Sequence, residues 1–236
     1  MGRRLGRFAA LLVVAGVIAG VAAWVLTPAT DDVQRRVEAL AKERGVPVLA
    51  PGRIPRQLAD AVVATEDERF YEHHGIDGIG LIRAGLDDLQ KRCLCEGGST
   101  LTEQLVKEVY LNGSDRGGRK LVDVVTAFKV ETVLDKTRIM ADWLTLAPTG
   151  PTAYGVQPSA CLYFGRPLGE LTLGQYALLA GLPQSPSLDD PLSHPDAALR
   201  RRSEVLDAML AHRFISAPQA SAARAEPLLP PTRGGC

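Results

Sequence analysis

The stretch "ATEDERFYEHHG", residues 64–75, gathers Glu66, Asp67, Glu68, Glu72, Arg69, His73 and His74 beside Phe70 and Tyr71. Aromatic neighbours and His73 can shield a carboxylate from water. Desolvation raises a carboxyl pKa, which makes Glu66 or Asp67 a better proton acceptor near neutral pH. The plainer reading of the same residues is a solvated helix end. Adjacent histidines point apart on a helix and no metalloprotease spacing follows, so neither is assigned a metal. A second group, "GGSTLTEQLVKE" (97–108), suits an anion. Glycines admit backbone N–H groups, Ser99 and Thr100 donate hydroxyls, and Lys107 adds charge at a helix start. Gln104 and Lys107 lie three residues apart and can face together. The spacing is not that of a P-loop, and an ordinary N-capped helix explains it as well. Arg119 and Lys120 follow a glycine pair and read as surface charge.

These groups need elements to hold them. Apolar spacing predicts helices over 33–44, 56–69, 75–89, 101–111, 119–134, 136–147, 171–183 and 194–214. In the 119–134 helix, Leu121, Val124, Val125 and Phe128 are expected to face inward. Glu66 falls near the carboxyl end of its helix, where the dipole disfavours ionisation. "VPVLAPGRIP" reads as an extended linker, "NGSDRGG" as an exposed loop and "PTGPTAYGVQPSA" as an irregular connection. No segment alternates convincingly as a strand, so the fold class is mainly α.

The chain has 236 residues, 27 basic and 27 acidic side chains and 46% hydrophobic content. That is enough for one substantial core. Net neutrality, with no basic run interleaved with aromatics, argues against nucleic acid as a partner. Arg3, Arg4 and Arg7 precede an uncharged run from Phe8 to Leu26. As a helix this run spans about 29 Å, close to the hydrocarbon thickness of a bilayer. The arginines before it and Asp31 and Asp32 after it put the amino terminus in the cytoplasm and the rest outside. A retained anchor is preferred to a cleaved signal peptide. Cys93, Cys95, Cys161 and Cys236 then face an oxidising compartment. Cys93 and Cys95 are too close to bridge without strain, leaving unpaired thiols or one Cys161 bridge.

In order and spacing, "EDERFYEHHG", "GGSTLTEQLVKE", "RKLVDVVTAFKVE" and "GVQPSACLYFGRPLGELTLGQYALLAGLPQSP" resemble the family 51 glycosyltransferases. These are peptidoglycan polymerases, found alone or as the amino-terminal part of bifunctional penicillin-binding proteins. The resemblance implies a lysozyme-like glycosyltransferase domain with a smaller mobile lobe, preceded by one transmembrane helix. The expected organisation is a basic segment 1–7, an anchor 8–26, a linker with a membrane-proximal helix 27–54, the glycosyltransferase domain 55–228 and a tail 229–236. Nothing in that plan leaves room for a transpeptidase domain, so a monofunctional member is expected. The implied activity polymerises lipid II into β-1,4 glycan strands with release of undecaprenyl diphosphate. The implied location is a bacterial plasma membrane. The implied partners are lipid II, the growing strand, the membrane and other cell-wall synthesis proteins.

By the same resemblance Glu66 is the base and Asp123 the second acid. Asp67, Phe70, His73, Ser99, Thr100, Gln104, Lys107, Arg119 and Lys120 contact substrate or shape its surroundings. Magnesium or manganese would assist without a dedicated metal site. The chain departs from the family pattern at several positions. Asp123 stands where a glutamate is usual. Ala141 and Thr145 in "IMADWLT" replace an acid and an amide, and Asp142 is one position out of register, about 100° around a helix. Gln175 replaces a frequent glutamate, and Glu103 and Glu108 add negative charge near the anion site. Those changes motivate a second reading, a member that binds lipid II or wall-synthesis partners without polymerising; a third, a muramidase-like hydrolase, follows from the helical fold and glutamate acid that lysozymes share.

Overall fold

A computed structural model describes residues 2–83, 98–111 and 120–229, giving only the backbone for residues 2–9 and 11. Arg119, the "NGSDRGG" loop, Cys93, Cys95 and Cys236 lie outside the described residues. The described helices include α1 (Gly2–Leu26), α2 (Val33–Glu43), α3 (Arg56–Glu66), α4 (Leu101–Tyr110), α5 (Lys120–Val133), α6 (Lys136–Leu146), α7 (Val156–Phe164), α8 (Leu173–Gly181), α9 (Pro195–Ala211) and α10 (Ala217–Ala225); residues 78–83 are helical too. Among the described residues there is no strand, only isolated bridges joining His74 to Ile76 and Pro148 to Tyr154.

The core forms where α3, α8 and α9 pack together and where α4 meets α5 and α6. α8, "LGQYALLAG", is buried along almost its whole length, with Tyr176, Ala177, Leu178, Leu179 and Ala180 all inside. Leu58, Ala61 and Val62 of α3 and Val205, Leu206 and Met209 of α9 close around it. Burial of such side chains contributes about 1.5–3 kcal/mol each before chain entropy is charged. Gly181 ends α8 without a side chain, and a Cβ there would lie 2.9 Å from Cγ of Arg201. Its bareness lets the Arg201 stem lie against the helix end.

Several expectations are corrected. The 56–69 helix stops at Glu66, whose successor Asp67 has left helical geometry at φ −160° and ψ 78°. In α5 Leu121 is 76% exposed and Phe128 39%, whereas Asp123, Thr126, Ala127, Lys129 and Val130 are buried. The inward face is therefore rotated from the apolar one, because buried polar groups find partners inside. Lys129 shows how: its ammonium donates to the carbonyls of Trp24, Thr27 (3.0 Å) and Pro28 (3.0 Å). It also sits 5.1 Å over the Trp24 ring. These bonds satisfy carbonyls at and beyond the end of α1. The supposedly irregular connection becomes helical from Val156 as α7, and α10 has no counterpart in the sequence reading. Cys161 is disulfide-bonded.

Along α1 the large apolar side chains Leu12, Val13, Val14, Val17, Ile18, Val21, Val25 and Leu26 are all exposed. Among the described residues, no helix is long and apolar enough to cross a membrane.

Candidate active site

A cleft of about 410 Å³ opens at the carboxyl end of α3. Its lining includes Glu66, Asp67, Glu68, Ser99, Thr100, Gln104 and Arg201. A smaller cavity of about 160 Å³ adjoins it across Gln104 and is lined by Lys107, Glu108, Trp143 and Pro183 among others. Gln104 and Lys107 thus share a face of α4, as their spacing predicts.

Glu66 sits at the seam of three helices. Its Oε2 accepts from Nε2 of Gln104 on α4 at 3.1 Å. Its Oε1 lies 3.6 Å from a guanidinium nitrogen of Arg201 on α9. The side chain is only 13% exposed. Burial pushes its pKa above the usual carboxylate value; the Gln104 hydrogen bond and the Arg201 charge pull the other way, and Asp67 adds to the rise. Desolvation wins, which leaves a carboxyl poised to exchange a proton. Arg201 is held in turn: Nε donates to the Gly181 carbonyl at 2.9 Å and a terminal nitrogen to Glu204 at 3.1 Å.

The sequence reading missed both Arg201 and Trp143. Arg201 sits in the run "LRRRSE", where three arginines look alike until the fold buries two of them. The indole of Trp143 donates to Oε1 of Gln104 at 3.0 Å.

Asp67 lines the same cleft as Glu66 but is held by different partners. Both its oxygens lie 3.0 Å from Nε2 of His73, and Oδ2 also accepts the Leu101 N–H at 3.0 Å. It therefore pins the start of α4 against the end of α3. Thr100 caps α4 reciprocally with Glu103, and its hydroxyl donates to the Gly75 carbonyl at 2.7 Å. Phe70 is fully buried, with its ring edge-on to His73, and both line neither cavity.

Lys120 bonds Ser99 Oγ at 3.1 Å and Glu103 at 2.9 Å, so the acid at 103 is neutralised rather than loose beside an anion site. Glu108 is matched likewise by Arg44 at 2.6 Å. Asp123 is 4% exposed and lines neither cavity. Asp142 is wholly buried, pairing with Arg138 at 3.0 Å and accepting from Gln34 of α2. The 100° offset thus turns it to α2 while Trp143 turns to Gln104. Among the described residues there is no cluster of three or more candidate metal ligands.

A largely buried carboxyl, held by an amide and a guanidinium in a polar cleft of a helical domain, is a candidate acid–base centre. The family model described as Transglycosylase matches residues 34–210. A protein of Cupriavidus necator carrying a provisional transglycosylase name is 38% identical over 229 residues, 97% of this chain and 99% of its own length. Penicillin-binding protein 1A of Vibrio cholerae is 40% identical over 181 residues, 77% of this chain and 22% of that protein. The chain therefore spans about a fifth of that relative. A 2.6 Å crystal structure of penicillin-binding protein 1A from Haemophilus influenzae has a TM-score of 0.44 and 24% identity, covering 77% of this chain and 18% of that one. The chain belongs to the transglycosylase family, the family 51 glycosyltransferases.

Proposed function

We propose that this protein is a membrane-anchored peptidoglycan glycosyltransferase that polymerises lipid II, with Glu66 as the base. The observation that carries the reading is Glu66 itself: desolvated, raised in pKa and facing a cleft with room for a sugar. The 4-hydroxyl oxygen of one lipid II attacks the anomeric carbon of the growing lipid-linked strand. Its proton passes to Glu66. The anomeric C–O bond breaks, undecaprenyl diphosphate departs with the electron pair, and the centre inverts to a β-1,4 linkage. By the family resemblance Ser99 and Thr100 meet the leaving diphosphate, with Lys107, Arg119 and Lys120 as its cations.

Residues 55–228 are the glycosyltransferase unit, lysozyme-like with a smaller mobile lobe. Residues 8–26 hold it to the outer face of a bacterial plasma membrane as a single pass. The uncovered apolar side chains of α1 and its capped carboxyl end support that anchor. A divalent cation would offset the diphosphate charge; Asp67 and Asp77 are the aspartates lining the cleft. Purified full-length protein in detergent should polymerise lipid II, and Glu66→Gln should not; equal strand formation by both would remove the mechanism.

A second reading has a specific motive: Asp123 is buried and lines neither cavity, and Lys120 is engaged by Glu103. A member of this kind would bind lipid II without polymerising it. Binding without product across magnesium and manganese titrations would favour it.

A further inference from the structure

We infer that Trp143 is a positioning residue: its indole N–H fixes the amide of Gln104 so that the donor end, rather than the acceptor end, faces Glu66. The inference rests on the proposed role of Glu66 as base. The chain of atoms is short. Trp143 Nε1 donates to Gln104 Oε1 at 3.0 Å, and Gln104 Nε2 donates to Glu66 Oε2 at 3.1 Å.

An amide can turn by 180° at little intrinsic cost, exchanging a donor for an acceptor. An indole N–H only donates, so the reversed amide would set its NH2 against the N–H of Trp143 and its oxygen against the oxygen of Glu66. Both contacts would be repulsive while Glu66 is ionised. One N–H in the second cavity thus selects which amide end the cleft carboxylate meets.

The tryptophan is well placed for this. It is 4% exposed on α6, whose start is capped by Asp135 through the Arg138 N–H at 2.8 Å. The preceding residue, Asp142, is anchored to α2 and to Arg138. That anchorage fixes the rotation of α6 about its axis, and a step of about 100° then aims Trp143 at α4. A donor is needed at Gln104 because, among the described residues, little else favours ionised Glu66. Arg201 of α9 is 3.6 Å away and shared with Glu204; Asp67 disfavours the charge; α8, packed on α3, carries no charged residue. Glu68, Asp77 and Arg83 share the cleft.

Trp143→Phe keeps a buried ring and removes only the N–H. With the carboxylates of full-length protein labelled with carbon-13, the Glu66 signal should titrate at least about half a unit higher in Trp143→Phe than in wild type. That is a threefold or greater rise in proton affinity. The acid limb of the lipid II polymerisation rate should move up with it, with kcat reduced several-fold and KM within about twofold. In a Gln104→Met background, Trp143→Phe should move neither quantity further. An unchanged Glu66 midpoint in folded Trp143→Phe, or a full additional shift in the Gln104→Met background, overturns the inference. If wild type makes no strands, the base assignment fails, while the carbon-13 titration still judges the Trp143 contact by itself.

Discussion

Replacing Arg201 with methionine keeps an unbranched stem against Gly181 and removes the guanidinium. Glu66 and Arg201 are 13% and 10% exposed, so the small value of a surface ion pair does not apply. Truncating one partner of a buried pair costs about 3–5 kcal/mol. Part of that cost is independent of Glu66, because the Gly181 carbonyl loses its charged donor, worth about 1–3 kcal/mol. The remainder, about 2 kcal/mol, should depend on pH. Burial holds the folded pKa of Glu66 above 4.5 and Arg201 opposes that rise. Without Arg201 the folded pKa climbs further. Below the unfolded value Glu66 is protonated in both states and the missing cation costs little. As pH rises toward the variant's folded pKa the penalty grows, then levels off. Urea melts of Arg201→Met and wild type at acid, neutral and mildly alkaline pH measure the difference. Asp189 and Glu204 also sense Arg201, so the same pair is compared in a Glu66→Gln background, where the growth attributed to Glu66 should vanish. A penalty that is flat with pH, or equally pH-dependent without Glu66, would refute the assignment of Arg201 as counter-charge.

Glu66→Gln should lower polymerisation by about a hundredfold or more. It should also melt higher than wild type at neutral pH, because the ionised buried carboxyl costs stability there, and the gain should disappear below pH 4.5. Differential scanning calorimetry beside the strand assay checks both. Gly75→Ala should destabilise by about 2–4 kcal/mol by urea denaturation, because Gly75 has φ +71° and an added Cβ would lie 2.9 Å from the backbone nitrogen of Phe128. Lys129→Met strips the donor from three carbonyls and should cost about 1–3 kcal/mol, seen as faster hydrogen exchange across residues 24–32.

The helical class and the start of α4 were legible in residues alone. Thr100 followed by Glu103 is a local capping signal, and apolar spacing marks α3, α8 and α9 because both act over a few residues. Position 142 was legible too: one step on a helix is about 100°, and Asp142 does point to another partner. The α5 face was not legible. Lys129 and Asp123 are buried while Leu121 is exposed, and that ordering reverses hydrophobic patterning because the partners of Lys129 come from residues 24–28, far along the chain.

Sequence by itself determined the family, through motif order, and named a carboxyl able to take a proton. Tertiary structure alone decided what surrounds that carboxyl. Arg201 and Gln104 come from helices 135 and 38 positions away, counting from 66 to 201 and from 66 to 104. Trp143 bonds Gln104, which in turn bonds the carboxyl. A pKa depends on burial and on charges within a few ångströms, and no spacing along the chain encodes those distances.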